Sequence, residues 1–498
     1  MGRTSDSNLS VPARAAWVQV AVRRTAMNLV KFVRPTFIQL ASRDGTKPDG
    51  RSNHDRLAFI PSQALDFDLC RPAARARFPA FFMEKFIISI LFVCVVTLAH
   101  PGAAELGQAV GLAAEKDPAK LGFDAKKLDA VFAVQKKLIA DKLAAANAAI
   151  IARDGRVVYH RAAKSGLAHD RPITDDTVFP IWSMSKPITS VAAMILFDRG
   201  AFKLDDSVAN ALPELAKVRV KAGDGKTKPL ARPITYRDLL RHTSGFYGYD
   251  GAYNENGFWA RTVKANGLAK IIGELAREPI EHQPGVRHTY GMSTAVMGRA
   301  IEALSGKPLD KFFWEEVFRP LGMKHTRFYL TKRDRKLFQP LSVLENGKLR
   351  AGKPDEDELP YEVASALHLG GEGLVSTLGD YARFCQMLVD RGKVTDGKQL
   401  IKPATLDLML ADQIEGIPGY DDRKNGYGFG LGLYVLLDTK MEGVNSPNGI
   451  YGWGGYHTTH FWIDPENRLY SVFMTRRHPF NDESLVQFRE AVYDSLKD

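Results

Sequence analysis

Cysteine is nearly absent: 498 residues carry three, Cys70, Cys94 and Cys385. The first two precede a cleavage point argued below, so no intramolecular disulfide is expected in the mature chain. Cys385 lies in the apolar helical pattern from Tyr381 to Leu388 and reads as a small buried hydrophobe. No Gly-x-Ser-x-Gly elbow occurs, which argues against the ordinary α/β-hydrolase fold. There is neither an HExxH motif nor a Cys/His cluster, and His457 and His460 should point to opposite faces of a strand, so no metal is expected. The glycines from Tyr427 to Gly432 sit in a β pattern with no helix following, unlike a nucleotide loop. They read as close strand packing, and nothing calls for an organic cofactor. Internal repeats are missing, and the mature region has no low-complexity tract.

Long apolar runs are also missing. Phe86 to Ala99 spans 14 residues, short of the roughly 20 a membrane span needs. Met83-Glu84-Lys85 precedes it and Gly102-Ala103-Ala104 follows, the arrangement of a secretory signal with a small-residue cleavage site. Residues 83–104 are therefore expected to be a signal peptide, with the mature protein starting near Glu105 and residing in the periplasm or outside the cell. No stable membrane span should remain after its removal. The Arg-rich residues 1–82 then read as an extension upstream of the true start, with a targeting arm as the alternative. Of the net charge of +11, about +7 lies before Met83, where 13 basic side chains face 6 acidic ones. The mature protein is thus only mildly basic, and no nucleic-acid partner is expected.

The whole chain is 45% hydrophobic, and what remains, 105–498, is long enough for a sizeable core. Leu128, Val131, Phe132, Leu138 and Ile139 approximate helical spacing after a capping Asp124, interrupted by Gln135. Ala149 to Arg153 and Arg156 to His160 flank Asp154-Gly155, a turn suited to an antiparallel hairpin. After Ser183, Ile188, Val191, Ala192, Ile195 and Leu196 mark a helix that ends at Gly200, with Pro187 tolerated in its early turn. Residues from about 204 to 365 alternate helical patterns with loops such as Lys221 to Pro233 and read as a mainly helical insert. Strand patterns return at Phe429 to Leu437, Ile450 to Gly455, His460 to Ile463 and Leu469 to Met474. Asn481 or Asp482 then caps a last amphipathic helix. The implied class is α+β: one antiparallel sheet built from both chain ends, flanked by helices, with a mainly helical domain inserted.

Chemistry is carried by three short motifs in order: Ser183-Met184-Ser185-Lys186, Tyr290-Gly291-Met292 and Trp453-Gly454-Gly455. A serine hydroxyl is a poor nucleophile until a neighbouring base takes its proton. Lys186, one helical turn on, shares a face with Ser183, their Cβ atoms about 5 to 6 Å apart. An amine kept from water can serve as that base. The helix start also aims a backbone N–H at a developing oxyanion.

The stretch Thr177 to Ser190 resembles the nucleophile segment of class C β-lactamase-like serine hydrolases, closest to the family VIII carboxylesterases. Ile234 to Gly245 and Gly370 to Thr377 resemble the same family, and the likeness runs from about Leu121 to the C-terminus. It implies a penicillin-binding-protein-like transpeptidase fold, with Tyr290 as the phenol that shares a proton network with Lys186 and protonates the leaving group. The oxyanion would be held by the backbone N–H groups of Ser183 and Tyr456. Trp182, Met292, Trp453, Gly454, Gly455 and His457 would contact substrate. His242 reads as a structural loop residue, with Thr243 and Ser244 bonding to backbone.

Two departures narrow the reading. Met292 stands where the β-lactamases have an asparagine, and cannot offer amide hydrogen bonds. Trp453 replaces the lysine of Lys-Thr-Gly, so the ammonium that would clamp a substrate carboxylate is missing. Tyr456 and His457 also stand where family esterases often have small residues. The expectation is a small-molecule ester as substrate and an acyl-serine intermediate. The alternatives are a β-lactamase, a D-Ala-D-Ala peptidase, or a silent binding protein on the same fold. N-terminal sequencing of native protein should return a start near Glu105, and a start before Met83 would contradict the signal peptide.

Overall fold

The structure, a computed structural model, describes residues 103–105, 112–248, 267–356, 359, 361 and 368–497. The extension 1–82 and the signal segment 83–104, apart from Ala103 and Ala104, lie outside the described residues.

One sheet of nine strands organises the molecule. In chain order they are β1 (Ala103–Glu105), β2 (Ala113–Ala114), β3 (Asn147–Arg153), β4 (Arg156–Ala163), β5 (Tyr427–Phe429), β6 (Tyr434–Leu436), β7 (Tyr451–Gly455), β8 (Thr459–Asp464) and β9 (Leu469–Thr475). Across the sheet the order is β1-β4-β3-β9-β8-β7-β6-β5, all antiparallel, with short β2 added in parallel to β4. Strands from the two ends of the sequence meet where β9 pairs with β3, from Leu469↔Arg153 to Thr475↔Asn147.

Alternation along each strand sends side chains to two separate cores. Ala149, Ile151, Trp462, Leu469 and Phe473 face helices α1 (Ala125–Ala140) and α5 (Glu483–Asp494). Ile150, Ala152, Phe461, Ile463 and Val472 face a larger core. It is shared with α2 (Ser185–Asp198), α3 (Ser293–Ser305) and α4 (Leu378–Val389). Every residue of β9 is therefore buried, as a strand covered on both faces requires. Asp124 caps α1 by accepting from Lys127 N at 2.9 Å. Gln135, the break in the apolar stripe, is fully buried. Its Nε2 donates to Asn147 Oδ1 at 2.7 Å and its Oε1 accepts from the Tyr159 hydroxyl. At α5 the side-chain cap is Asn481, accepting from Ser484 N at 3.1 Å, and not Asp482.

The described residues between 204 and 365 hold helices and also two hairpins, at Arg219–Gly223 with Lys226–Pro229 and at Ser342–Glu345 with Lys348–Ala351. The first lies where a loop is read from sequence. Its turn, Asp224-Gly225, has φ of 50° and 71°, the mirror-image turn that matches strand twist. Only Val220 of that hairpin is buried, so no apolar alternation marks it. The run Phe429 to Leu437 is likewise two strands, because the chain reverses between Phe429 and Tyr434, which pair with each other.

Burial also keeps several imidazoles neutral. It pushes His460 down to about 3 and His288 and His478 down to about 4, and holds His242 and His457 well below their usual range. In the unfolded chain these groups protonate near pH 6.5. Below that pH the unfolded state binds more protons than the folded one, so stability must fall as pH drops towards 4. His460 stacks on Phe473, with centroids 4.7 Å apart and planes 4° apart, and neither of its ring nitrogens has a hydrogen-bond partner. His460→Phe should therefore lessen the pH dependence of unfolding by about 1.4 kcal/mol per pH unit between pH 6 and 4. Urea titrations across that range read it, and an unchanged slope would count against the neutral imidazole.

Candidate active site

Ser183 stands on a single 3-10 turn, Trp182–Met184, that leads into α2. Trp182 has φ of 45°, a left-handed conformation that bulky residues seldom adopt. Several contacts hold that turn in place. Ile181 N donates to Leu374 O at 3.0 Å, Leu374 N to Ser185 Oγ at 3.2 Å, and the Tyr381 hydroxyl to Met184 O at 3.0 Å. The turn that carries Ser183 is thus fastened to the segment 370–377, whose Val375–Thr377 also pairs with Val178–Pro180 just before it.

Lys186 has no exposed surface, while Ser183 is half-buried. The Lys186 Nζ donates to Ser183 Oγ at 3.1 Å and to Gly371 O at 2.8 Å. It also lies 4.6 Å from the centroid of the Tyr290 ring, within cation–π range. The Tyr290 hydroxyl in turn accepts from Trp453 Nε1 at 3.3 Å. Ser183, Lys186, Tyr290 and Trp453, from three distant parts of the chain, thus meet in one place.

Behind Tyr290 stands His242, fully buried, with φ of 56° and its ring 4.9 Å from the tyrosine ring. Its Nδ1 accepts from Gly291 N at 3.4 Å and its Nε2 meets Thr294 Oγ1 at 3.2 Å. Burial first, then the charges of His288 and Lys186, hold its pKa well below the usual range, so it is a neutral support for the loop. Of the neighbouring hydroxyls, Ser244 Oγ accepts from the backbone at Phe246 N at 3.4 Å, as expected, and also meets Ser293 Oγ at 2.8 Å, whereas Thr243 Oγ1 donates to the Asp238 side chain at 2.9 Å.

Trp453, Gly454 and Gly455 form the end of β7. They pair with β8 on one side, whereas β6 reaches only Tyr451 and Gly452. No strand among the described residues pairs with the other edge of the last three. Gly455 backs directly onto the turn at Ser183: a Cβ there would lie 2.4 Å from Ile181 O and 2.3 Å from Thr459 Oγ1. Tyr456 follows, half-buried, its ring 5.2 Å from that of Trp182.

The exposed lining is therefore Ser183, Tyr290, Trp453, Gly454 and Tyr456, all partly accessible. Four residues expected to contact substrate are buried and do not line the site, Gly455 against the turn at Ser183 among them. Met292 is fully buried at the start of α3, and Trp182 and His457 are 4% and 1% exposed. Met292 packs in the main core, and Trp182 Nε1 donates to His457 Nδ1 at 2.9 Å, so both aromatic groups support the site from behind. Two features escaped the sequence reading. The Gly371 carbonyl is one, its only signal being the glycine pair at 370–371. The aromatic group of His288, Tyr420 and Phe429 around His242 and Trp453 is the other. Among the described residues there is no group of His, Cys, Asp or Glu arranged to hold a metal ion. No described helix is long and apolar enough to cross a membrane.

The beta-lactamase family model matches residues 136–492, and the chain belongs to that family. Protein Rv1367c of Mycobacterium tuberculosis (strain ATCC 25618 / H37Rv) is 32% identical over 333 residues, 62% of this chain and 79% of the relative. Esterase EstB of Burkholderia gladioli is 28% identical over 410 residues, 76% of this chain and 99% of the relative. The solved structure of EstCE1, described as a hydrolase with promiscuous acyltransferase activity, is similar with a TM-score of 0.63 and 26% identity. That match covers 74% of this chain and 99% of EstCE1.

Gly455→Ala tests how closely β7 and the nucleophile turn depend on each other. The added methyl must displace Ile181 O or Thr459, and shifts of about 1 Å near a reacting atom can cost about 10²-fold in rate. The rate at which a fluorophosphonate modifies Ser183 should fall by about that factor, and an unchanged rate would contradict the packing.

Proposed function

We propose that this chain is a serine hydrolase that cleaves carboxylic esters of small molecules through an acyl-enzyme on Ser183. The observation that carries the reading is the 3.1 Å contact between Ser183 Oγ and the buried Lys186 amine. Ser183 Oγ attacks the ester carbonyl carbon and its proton passes into the Lys186 and Tyr290 pair. Collapse of the tetrahedral intermediate breaks the carbon–oxygen bond, and Tyr290 returns a proton to the departing alkoxide. Water then attacks the acyl-serine, releasing the carboxylic acid and restoring Ser183. The N–H groups of Ser183 and Tyr456 are assigned as the oxyanion donors.

Ester specificity is favoured over β-lactams by what the site offers. Trp453 presents an indole N–H to Tyr290 in place of an ammonium, and buried Met292 supplies no amide. The similarity to Esterase EstB and EstCE1 supports the same choice. The run Phe86 to Ala99 supports an exported enzyme.

A panel of nitrophenyl esters and β-lactams, run with wild type and Ser183→Ala, tests this. Short-chain esters should turn over far faster than a chromogenic cephalosporin, and Ser183→Ala should lose at least about 10³-fold while still folding. Undiminished turnover in that variant would overturn the nucleophile, and faster cephalosporin hydrolysis would overturn the substrate class.

A further inference from the structure

Trp182 and His457 sit one residue away from the two groups assigned to the oxyanion: Trp182 precedes Ser183 and His457 follows Tyr456. They come from segments 275 positions apart, and a single buried hydrogen bond joins them, Trp182 Nε1 to His457 Nδ1 at 2.9 Å. Their rings also meet edge to face, 5.1 Å apart. An indole N–H can only donate, so the imidazole must accept at Nδ1 and carry its proton on Nε2.

Both ends of this brace hold unfavourable backbone. Trp182 has φ of 45° and Thr458, just after His457, has φ of 69°. Such conformations persist only where surrounding contacts over-determine them. At the first end, Trp182 is packed with Val178, Leu330, Leu359, Tyr361 and Val375. At the second, Thr458 N donates to Gly455 O at 2.8 Å and Arg477 N donates to His457 O at 3.1 Å. Burial, followed by the charges of Arg476 and His478, keeps the His457 pKa well below the usual range, so Nδ1 stays an acceptor.

We propose that His457 is a positioning residue: its hydrogen bond to Trp182 sets the separation between the Ser183 and Tyr456 backbone N–H groups. The inference rests on the ester-hydrolase reading and adds a determinant to it. A donor pair acts on charge that develops in the transition state. Loosening the brace should therefore lower kcat and leave KM nearly unchanged.

Three single variants, one double variant and one control test it with a nitrophenyl ester. His457→Leu keeps the bulk without the acceptor, and Trp182→Phe keeps an aromatic ring without the donor. Each should lose about 10²-fold in kcat, the lower range for removing an oxyanion donor, with KM within about threefold. His457→Asn places an amide oxygen near the former Nδ1 and should recover most of that loss. The double variant Trp182→Phe/His457→Leu should be no slower than the slower single one, because both break the same bond. Full kcat in either folded single variant, or losses that simply multiply in the double one, would overturn the proposal. Should His457→Leu fail to fold, Trp182→Phe and His457→Asn still decide the matter. Ser183→Ala is the control: activity surviving there refutes the hydrolase reading, whereas its loss there with full activity in His457→Leu refutes only the brace.

Discussion

A buried amine held against a half-buried hydroxyl is the contact around which the molecule is arranged. Lys186 has no exposed surface, and burying a polar amine without partners is costly. Its Nζ finds Ser183 Oγ, the Gly371 carbonyl and the face of Tyr290, each from a different stretch of chain. These partners can only be assembled if α2, the segment 370–377 and the loop before α3 are packed together. The larger core on that face of the sheet does so. Stability and chemistry thus converge on one nitrogen.

The sheet makes a second contribution through β7. Its last residues lie beside the nucleophile turn, and the missing side chain at Gly455 lets Ile181 O approach closely. That proximity brings Trp453 against Tyr290 and sets Tyr456 next to Trp182. The site is walled by aromatic rings, with the buried Lys186 amine beneath the serine.

Legibility in the sequence followed the range of the interactions. The Ser183 to Lys186 contact lies within one helical turn, so spacing alone anticipates it. The hairpin at Asp154-Gly155 and the helix capped by Asp124 are equally local. Tyr290 and Trp453 were reached through resemblance, since nothing in their own neighbourhoods says they face Ser183. The Gly371 carbonyl could not be read, because a backbone acceptor leaves no residue type behind. Trp182, Met292 and His457 were placed in the lining because motif neighbours are assumed to face the substrate. The backbone reversals at Trp182 and Thr458 turn two of those side chains inward, and Met292 faces inward at the start of α3. The two hairpins described within 204–365 carry Asp-Gly and Asn-Gly turns, yet the first has largely exposed strands and neither shows the alternation of burial that would have marked it.

The central claim is that Lys186 activates Ser183 as the nucleophile. It is tested most directly by quenching the enzyme during ester turnover and mapping the acyl adduct by peptide mass spectrometry, in wild type and in Lys186→Met. A single adduct on the peptide holding Ser183, lost or greatly slowed in the variant, is the expected result. An adduct on another residue, or one forming on Ser183 at the same rate without the lysine, would contradict the account.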